Sequence, residues 1–142
     1  MEYIGKNLKN NDCVIVGIHN ALLWLKKKVS YEKIEYFARN YYEYTPEAGF
    51  DCGFLKDFMD CWYLPFNPYG GQIEDLEKQI LEGNGALAIL IPKNGGMNHM
   101  IFLKPNVNSV EIVNSNLAWE EVVSSFKDRQ VGLSVWTVGK AA

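Results

Sequence analysis

The sequence has few of the residues that build disulfide frameworks or metal sites. It contains only three cysteines, Cys13, Cys52 and Cys61, an odd number that is too small to cross-link 142 residues. Only two histidines occur, His19 and His99, and there is no Cys-x-x-Cys pair. Because zinc sites need closely spaced Cys or His ligands, the sequence predicts no metal ion and no other cofactor.

Long apolar runs are also missing, and basic residues cluster at one short place only. No run of about 18 apolar residues exists, so no membrane-spanning segment is expected. Residues 1–11 are polar and lack the apolar core of a signal peptide, which favours a cytoplasmic location. The formal net charge is −3, and the only basic cluster covers residues 26–28. Nucleic acid is therefore not an expected partner, because phosphate binding needs a concentrated positive surface.

The composition is that of one globular domain. Hydrophobic residues make up 48% of the chain and aromatic residues 13%, enough to fill a single core. No internal repeat and no linker is present, so one domain over residues 1–142 is expected. The first part of the chain has helical patterns at 13–27, 30–42, 51–61 and 73–81. The first of these is apolar on nearly all faces, which predicts a buried helix, with Asp12 as its N-cap.

The pattern changes from helix to strand after residue 85. Short apolar or alternating runs predict strands at 86–91, 99–103, 110–113 and 131–138. A turn is expected at Pro105-Asn106, and a short helix at 119–126 with Asn116 as its cap; residues 62–66 are also β-prone. Helices first and antiparallel strands second predict an α+β fold.

Cys13 is the first candidate for chemistry. It lies at the predicted N-terminus of the buried helix, where the partial positive charge favours a thiolate. The alternative is an inert buried thiol, because free cysteines are among the most buried residue types. Cys52 also starts a helix, but that helix is amphipathic, and Cys52 and Cys61 are interpreted as structural.

A nucleophilic cysteine needs a base, and histidine is the side chain whose pKa suits that task near neutral pH. His19 follows Cys13 by six residues on the same helix, projects from a different side, and is interpreted as a packed or surface residue. His99 remains, at the start of a strand and after the Gly-rich loop 93–98. The sequence therefore pairs Cys13 with His99.

This order of elements resembles the papain-like cysteine peptidases, and within them the C39-like peptidase family. The resembling segments are NDCVIVGIHNALLWL near the start, ALAILIPKNGGMNHMIFL further on, and then VEIVNSN. The likeness covers nearly the whole chain in element order. It implies a papain-like fold in which an N-terminal buried helix and further helices pack on a C-terminal antiparallel sheet.

The resemblance also implies roles for particular residues. Cys13 matches the nucleophile and His99 the general base. Asn114 matches the residue that orients the imidazole, with Asn116 as the alternative. Asn7 stands where the family usually has Gln, and its amide, with the backbone N–H of Cys13, would stabilise the oxyanion. The sequence departs from the family at Val14, where Gly is usual, and at Asn114, where Asp followed by Pro is usual.

The implied activity is that of a cysteine hydrolase. A peptidase would cleave a peptide or isopeptide bond through an acyl-thioester intermediate, so the expected partner is a peptide or protein substrate. Acyl or amine transfer on the same triad remains an alternative, because an amine can replace water in the second step. A third alternative is an inactive papain-like module with a binding or inhibitory function.

Overall fold

A computed structural model describes all 142 residues. The chain forms five α-helices and five β-strands, each numbered in chain order. The helices are α1 Cys13–Trp24, α2 Tyr31–Tyr41, α3 Leu55–Cys61, α4 Ile73–Leu81 and α5 Trp119–Lys127, and a 3-10 helix, Cys52–Phe54, precedes α3. The strands are β1 Asn67–Tyr69, β2 Asn84–Pro92, β3 His99–Asn106, β4 Ser109–Ile112 and β5 Val131–Lys140.

All five strands form one antiparallel sheet in the order β1-β5-β2-β3-β4. The Gly-rich loop 93–98 joins β2 to β3, which pair from Ala86 with Leu103 to Leu90 with His99. The α+β class that the sequence predicts is therefore confirmed. None of the helices has the length and apolar character needed to span a lipid bilayer.

The sheet separates two apolar clusters. Successive side chains of a strand point to opposite faces, and on β3 Met100 and Phe102 enter one cluster while Ile101 and Leu103 enter the other. The first cluster contains α1, α2 and α3, and the second contains α4 and α5. Helix α1 lies between the sheet and α2, so it is buried from Val14 to Leu22, as its apolar pattern predicts.

The two predicted helix caps have different outcomes. Asp12 occupies the N-cap position of α1, as predicted, but its side chain makes no capping hydrogen bond; its carboxylate instead accepts from the preceding backbone at Leu8 and Lys9. Asn116 does not cap α5; Ala118 takes the N-cap position, without a side-chain bond. By contrast, the Ser30 hydroxyl accepts from Lys33 N–H at the start of α2, as a cap should.

Two predictions in the strand region are also wrong. Residues 62–66 form no strand; β1 begins at Asn67. Pro105 and Asn106 belong to β3 rather than to a turn, and Pro105 pairs with Val110 of β4. The pairing of β2 with β3 ends at Leu103. Pro105 therefore lies beyond the part of β3 that pairs with β2, so no hydrogen bond to β2 is lost through the N–H that proline lacks. The chain turns at Val107 and Asn108 instead.

A glycine-to-alanine change at Gly85 is expected to destabilise the fold. A Cβ at this position would lie 2.8 Å from Nε1 of Trp24, and that indole N–H donates to the Gly139 carbonyl at 3.0 Å. We expect Gly85→Ala to lower the free energy of unfolding by about 1–3 kcal/mol, measured by urea denaturation. Gly70→Ala is the control, because no atom lies within 4 Å of its Cβ position. Equal midpoints for the two variants would contradict the expected clash.

Candidate active site

Cys13 stands at the first position of α1 and borders a cleft of about 380 Å³. The cleft has apolar walls and no basic lining residue; its only charged lining residue is Asp51. The apolar walls are formed by Val14, Phe50, Ile89, Met97 and Met100. The cleft therefore offers the sulfur an apolar neighbourhood that is open to a ligand.

The sulfur of Cys13 is held against β3. Its Sγ accepts a hydrogen bond from the backbone N–H of Met100 at 3.4 Å, a contact between residues 87 positions apart. Met100 directly follows His99 in the chain. The fold thus brings the predicted nucleophile to within one peptide unit of the predicted base.

The imidazole of His99 has a different partner. Its Nε2 lies 3.3 Å from the backbone oxygen of Asn114, and no hydrogen bond joins it to Sγ of Cys13. With a proton on Nε2, the ring donates to that carbonyl and Nδ1 keeps its lone pair. The direct Cys13–His99 hydrogen bond that the sequence predicts is therefore not formed.

Strand geometry explains this difference. By alternation, His99 belongs to the same face of β3 as Ile101 and Leu103, which pack in the second cluster. Cys13 packs against the first cluster, on the other face. His99 is the first residue of β3 and does not line the cleft. A bond to the sulfur requires rotation of the imidazole around the end of the strand.

Asn114 is buried, with 2% of its surface exposed, and its amide is committed to the sheet. Oδ1 accepts from Phe102 N–H at 2.8 Å, and Nδ2 donates to the Met100 carbonyl at 2.9 Å. Beyond the end of β4 these β3 groups lack a strand partner, and the amide satisfies them. Asn114 therefore touches the imidazole through its backbone oxygen and not, as the sequence predicts, through its side chain. The alternative residue, Asn116, is exposed.

Asn7 is exposed, its side chain makes no hydrogen bond within the chain, and it does not line the cleft. The next residue, Leu8, donates its backbone N–H to the Asp12 carboxylate at 3.0 Å. Asn7 therefore directly precedes a residue that contacts Asp12, the neighbour of Cys13 in the chain. The backbone N–H of Cys13 is available as a second donor, because the first N–H groups of a helix have no intrahelical partner.

The resting thiol of Cys13 is stabilised in its neutral form. Burial raises the pKa of the Cys13 thiol, and the nearby Cys52 and Asp12 raise it further. Hydrogen bonds from the N–H groups of Met100 and Val14 act in the opposite direction but are smaller than the effect of burial. Any nucleophilic role for this sulfur therefore needs a base that removes its proton.

This raised pKa predicts a pH dependence. Only the thiolate is alkylated, so the rate of Cys13 alkylation by iodoacetamide should rise with pH, with a midpoint above that of free cysteine. Asp12→Asn should lower that midpoint, because it removes a negative charge that disfavours the thiolate. Peptide mass spectrometry after timed labelling measures both rates. A midpoint below that of free cysteine would instead indicate a thiolate–imidazolium pair at rest.

Sequence reasoning missed a loop that lines the cleft. Ala48, Gly49, Phe50 and Cys52 all line it. Cys52 is exposed rather than packed. The only sequence signal here is the helix start at Asp51, whose carboxylate accepts from Gly53 N–H at 2.8 Å.

A second missed feature is the buried carboxylate of Asp12. Its Oδ2 accepts from the Tyr31 hydroxyl at 2.7 Å, while Oδ1 has no partner. Burial and this hydrogen bond to Asp12 raise the pKa of Tyr31. Burial also raises the pKa of the adjacent Tyr44 to about 12. The tyrosines next to the cysteine thus stay neutral and act as donors.

His19 does not contribute to the cleft. It is buried on α1, and burial lowers the pKa of its imidazole. Its Nδ1 lies 3.4 Å from Oδ1 of the neighbouring Asn20. His19 is therefore a packed histidine, which is one of the two interpretations that the sequence permits.

The chain matches no family model and no curated protein. The resemblance to C39-like peptidases therefore stays a prediction from the sequence.

Proposed function

We propose that this chain is a papain-like cysteine hydrolase, resembling the C39-like peptidases, that cleaves a peptide or isopeptide bond. The observation that carries the proposal is the contact of Cys13 Sγ with Met100 N–H at 3.4 Å, directly beside His99, at the wall of an apolar cleft. A helix N-terminus, a sulfur, an imidazole and a cleft are the parts that nucleophilic acyl transfer needs.

The proposed reaction begins with proton transfer. The His99 side chain rotates so that Nδ1 takes the proton of the Cys13 thiol, and Sγ attacks the substrate carbonyl carbon. The oxyanion that forms is stabilised by the N–H of Cys13 and the amide of Asn7. The imidazolium then gives its proton to the leaving amine, which departs as the acyl-thioester forms. Water, deprotonated by the imidazole, hydrolyses the thioester and restores the thiol.

The Asn114 backbone carbonyl has an orienting role in this scheme. Before the ring rotates, it accepts from Nε2 at 3.3 Å, which selects the tautomer whose Nδ1 keeps a lone pair and can act as the base after the rotation. A carbonyl oxygen is sufficient for this purpose, because holding a tautomer requires an acceptor rather than a charge. The side chain of Asn114 supports the same arrangement indirectly, since it fixes the backbone of Met100 and Phe102.

The cleft also indicates a substrate class. Phe50, Met97 and Met100 contribute apolar surface, and Asp51 is the only charged lining residue. We expect a substrate with an uncharged, apolar side chain near the scissile bond, because burying an acidic group there would leave it without a partner. An amine nucleophile in place of water would give the transferase reaction on the same residues.

An inactive binding module is the second candidate. It is favoured by the raised pKa of the Cys13 thiol and by the missing hydrogen bond between that thiol and His99. In this case the cleft would bind an apolar peptide segment without chemistry, and Cys13 would react no faster than an ordinary thiol.

One experiment separates the two candidates. The protein is mixed with p-nitrophenyl acetate, and acyl adducts on the three cysteines are followed by mass spectrometry while nitrophenolate release is recorded. A hydrolase should acylate Cys13 faster than Cys52 and Cys61 and should then release acetate, and Cys13→Ala should abolish that turnover. Equal, slow acylation of all three thiols would support the binding module.

A further inference from the structure

The residues before α1 form an N-terminal arm, here residues 3–9, that is bound to the helix at two places. The first is Asn20, which is fully buried on α1 about two turns beyond Cys13. Its Oδ1 accepts from Ile4 N–H at 2.8 Å, and its Nδ2 donates to the Ile4 carbonyl at 2.9 Å. One amide thus satisfies both backbone groups of a single arm residue, as a neighbouring strand would.

The second binding point is Asp12, which is also fully buried. Its Oδ2 accepts from Leu8 N–H at 3.0 Å and from Lys9 N–H at 2.9 Å. Between the two binding points only Gly5, Lys6 and Asn7 remain. Beyond the first point, the ring of Tyr3 stacks on Phe102, with 6.3 Å between centroids and planes inclined by 18°.

The burial of Asn20 is difficult to explain by packing alone. The other buried residues of α1 are mostly apolar, and an unpaired amide in that environment would be destabilising. The amide is satisfied mainly by the arm, and its one other contact, to the adjacent His19, is 3.4 Å long. This arrangement indicates that Asn20 serves to hold the arm.

We propose that Asn20 and Asp12 are positioning residues, which fix the arm so that the Asn7 amide is presented at the N-terminus of α1 to the oxyanion formed at Cys13. This inference rests on the proposed function. Donors that are held in place before the reaction stabilise an oxyanion without reorganisation. Asn7 is held on both sides by these bonds, whereas its own amide is exposed and makes no hydrogen bond within the chain.

Two reagents separate positioning from general damage to the thiol. Acylation of Cys13 by p-nitrophenyl acetate passes through a tetrahedral oxyanion, whereas alkylation by iodoacetamide is a direct displacement at carbon that forms none. The variant Asn20→Leu keeps a side chain of similar size. It should slow acylation by about 10²–10³-fold, as loss of an oxyanion donor does, and should leave alkylation within about twofold. Asn40→Leu, at an exposed position of α2, should change neither rate.

The same variant tests whether Asn20 acts through Asn7. Asn7→Ala should slow acylation by a factor similar to that of Asn20→Leu, and the double variant should be no slower than either single variant. Independent, multiplied losses would overturn the proposal, and so would an Asn20→Leu protein with the acylation rate of the parent.

Hydrogen exchange tests the arm without any activity. In the parent protein the backbone N–H of Ile4 should be protected, and Asn20→Leu should remove that protection while α1 stays protected. Rapid exchange at Ile4 in the parent would overturn the proposal. Failure of the proposed function has a different signature: Cys13 of the parent would be acylated no faster than Cys52 and Cys61, with Ile4 still protected.

Discussion

Replacing His99 with alanine should slow the acylation of Cys13 by about 10²–10⁴-fold at neutral pH, the usual contribution of a general base. The reason is the neutral resting thiol: burial raises the pKa of Cys13, so without an imidazole little of the sulfur is reactive. The measurement is the initial rate of nitrophenolate release from p-nitrophenyl acetate, corrected for the rate of Cys13→Ala.

Two variants of β3 complete this test. His99→Gln keeps a polar side chain but has no basic nitrogen, so it should lose as much rate as His99→Ala. Asn106→Ala, at the exposed far end of the same strand, should keep the parent rate. If His99→Ala acylates at the parent rate, His99 is not the base and the peptidase proposal fails.

Replacing Asn114 with alanine should lower the free energy of unfolding by about 2–4 kcal/mol, because two buried backbone groups lose their partners. These are the N–H of Phe102 and the carbonyl of Met100. Urea denaturation measures the change, and Asn116→Ala should stay within about 0.5 kcal/mol of the parent because that side chain is exposed. A large loss of acylation with unchanged stability would instead mean that the Asn114 side chain acts on the imidazole.

Asn114→Asp sharpens the same prediction. A carboxylate can still accept from Phe102 N–H, but it faces the Met100 carbonyl without a proton to donate. The variant should therefore be less stable than the parent at neutral pH. Its stability relative to the parent should rise as the pH falls, because the protonated carboxyl group regains a donor. An unchanged difference across the acidic range would contradict this assignment of the amide.

The large elements were predictable from the sequence because local patterns determine them. Helix α4 has the predicted bounds, 73–81, since an apolar stripe is followed by Gly83. The alternation around Val110 gave β4, and the continuous apolar run 86–91 gave most of β2. The short strand β1 was misplaced, because its three residues are strand only through pairing with β5.

The site was predictable as a neighbourhood but not as a set of contacts. That Cys13 lies near the start of β3 was predicted because a nucleophilic cysteine needs a base and His99 was the remaining histidine, and because the family resemblance implied the same pair. The side chain of Asn114 binds the backbone of β3, and that of Asp12 binds the arm. Both contacts depend on which backbone N–H and C=O groups the fold leaves without a partner, and local sequence patterns do not predict this. The cleft wall at residues 48–52 had no apolar periodicity that could have marked it.

The deep burial of helix α1 affects which substitutions this protein can tolerate around its cleft. The sulfur is carried by the most deeply buried helix, whereas much of the cleft wall comes from the loop at 48–52 and from Met97, which is exposed. Substitutions in these surface segments can alter ligand preference without repacking the interior. Selection or engineering can therefore diversify what the cleft would bind, while the buried packing of α1 around Cys13 stays constant.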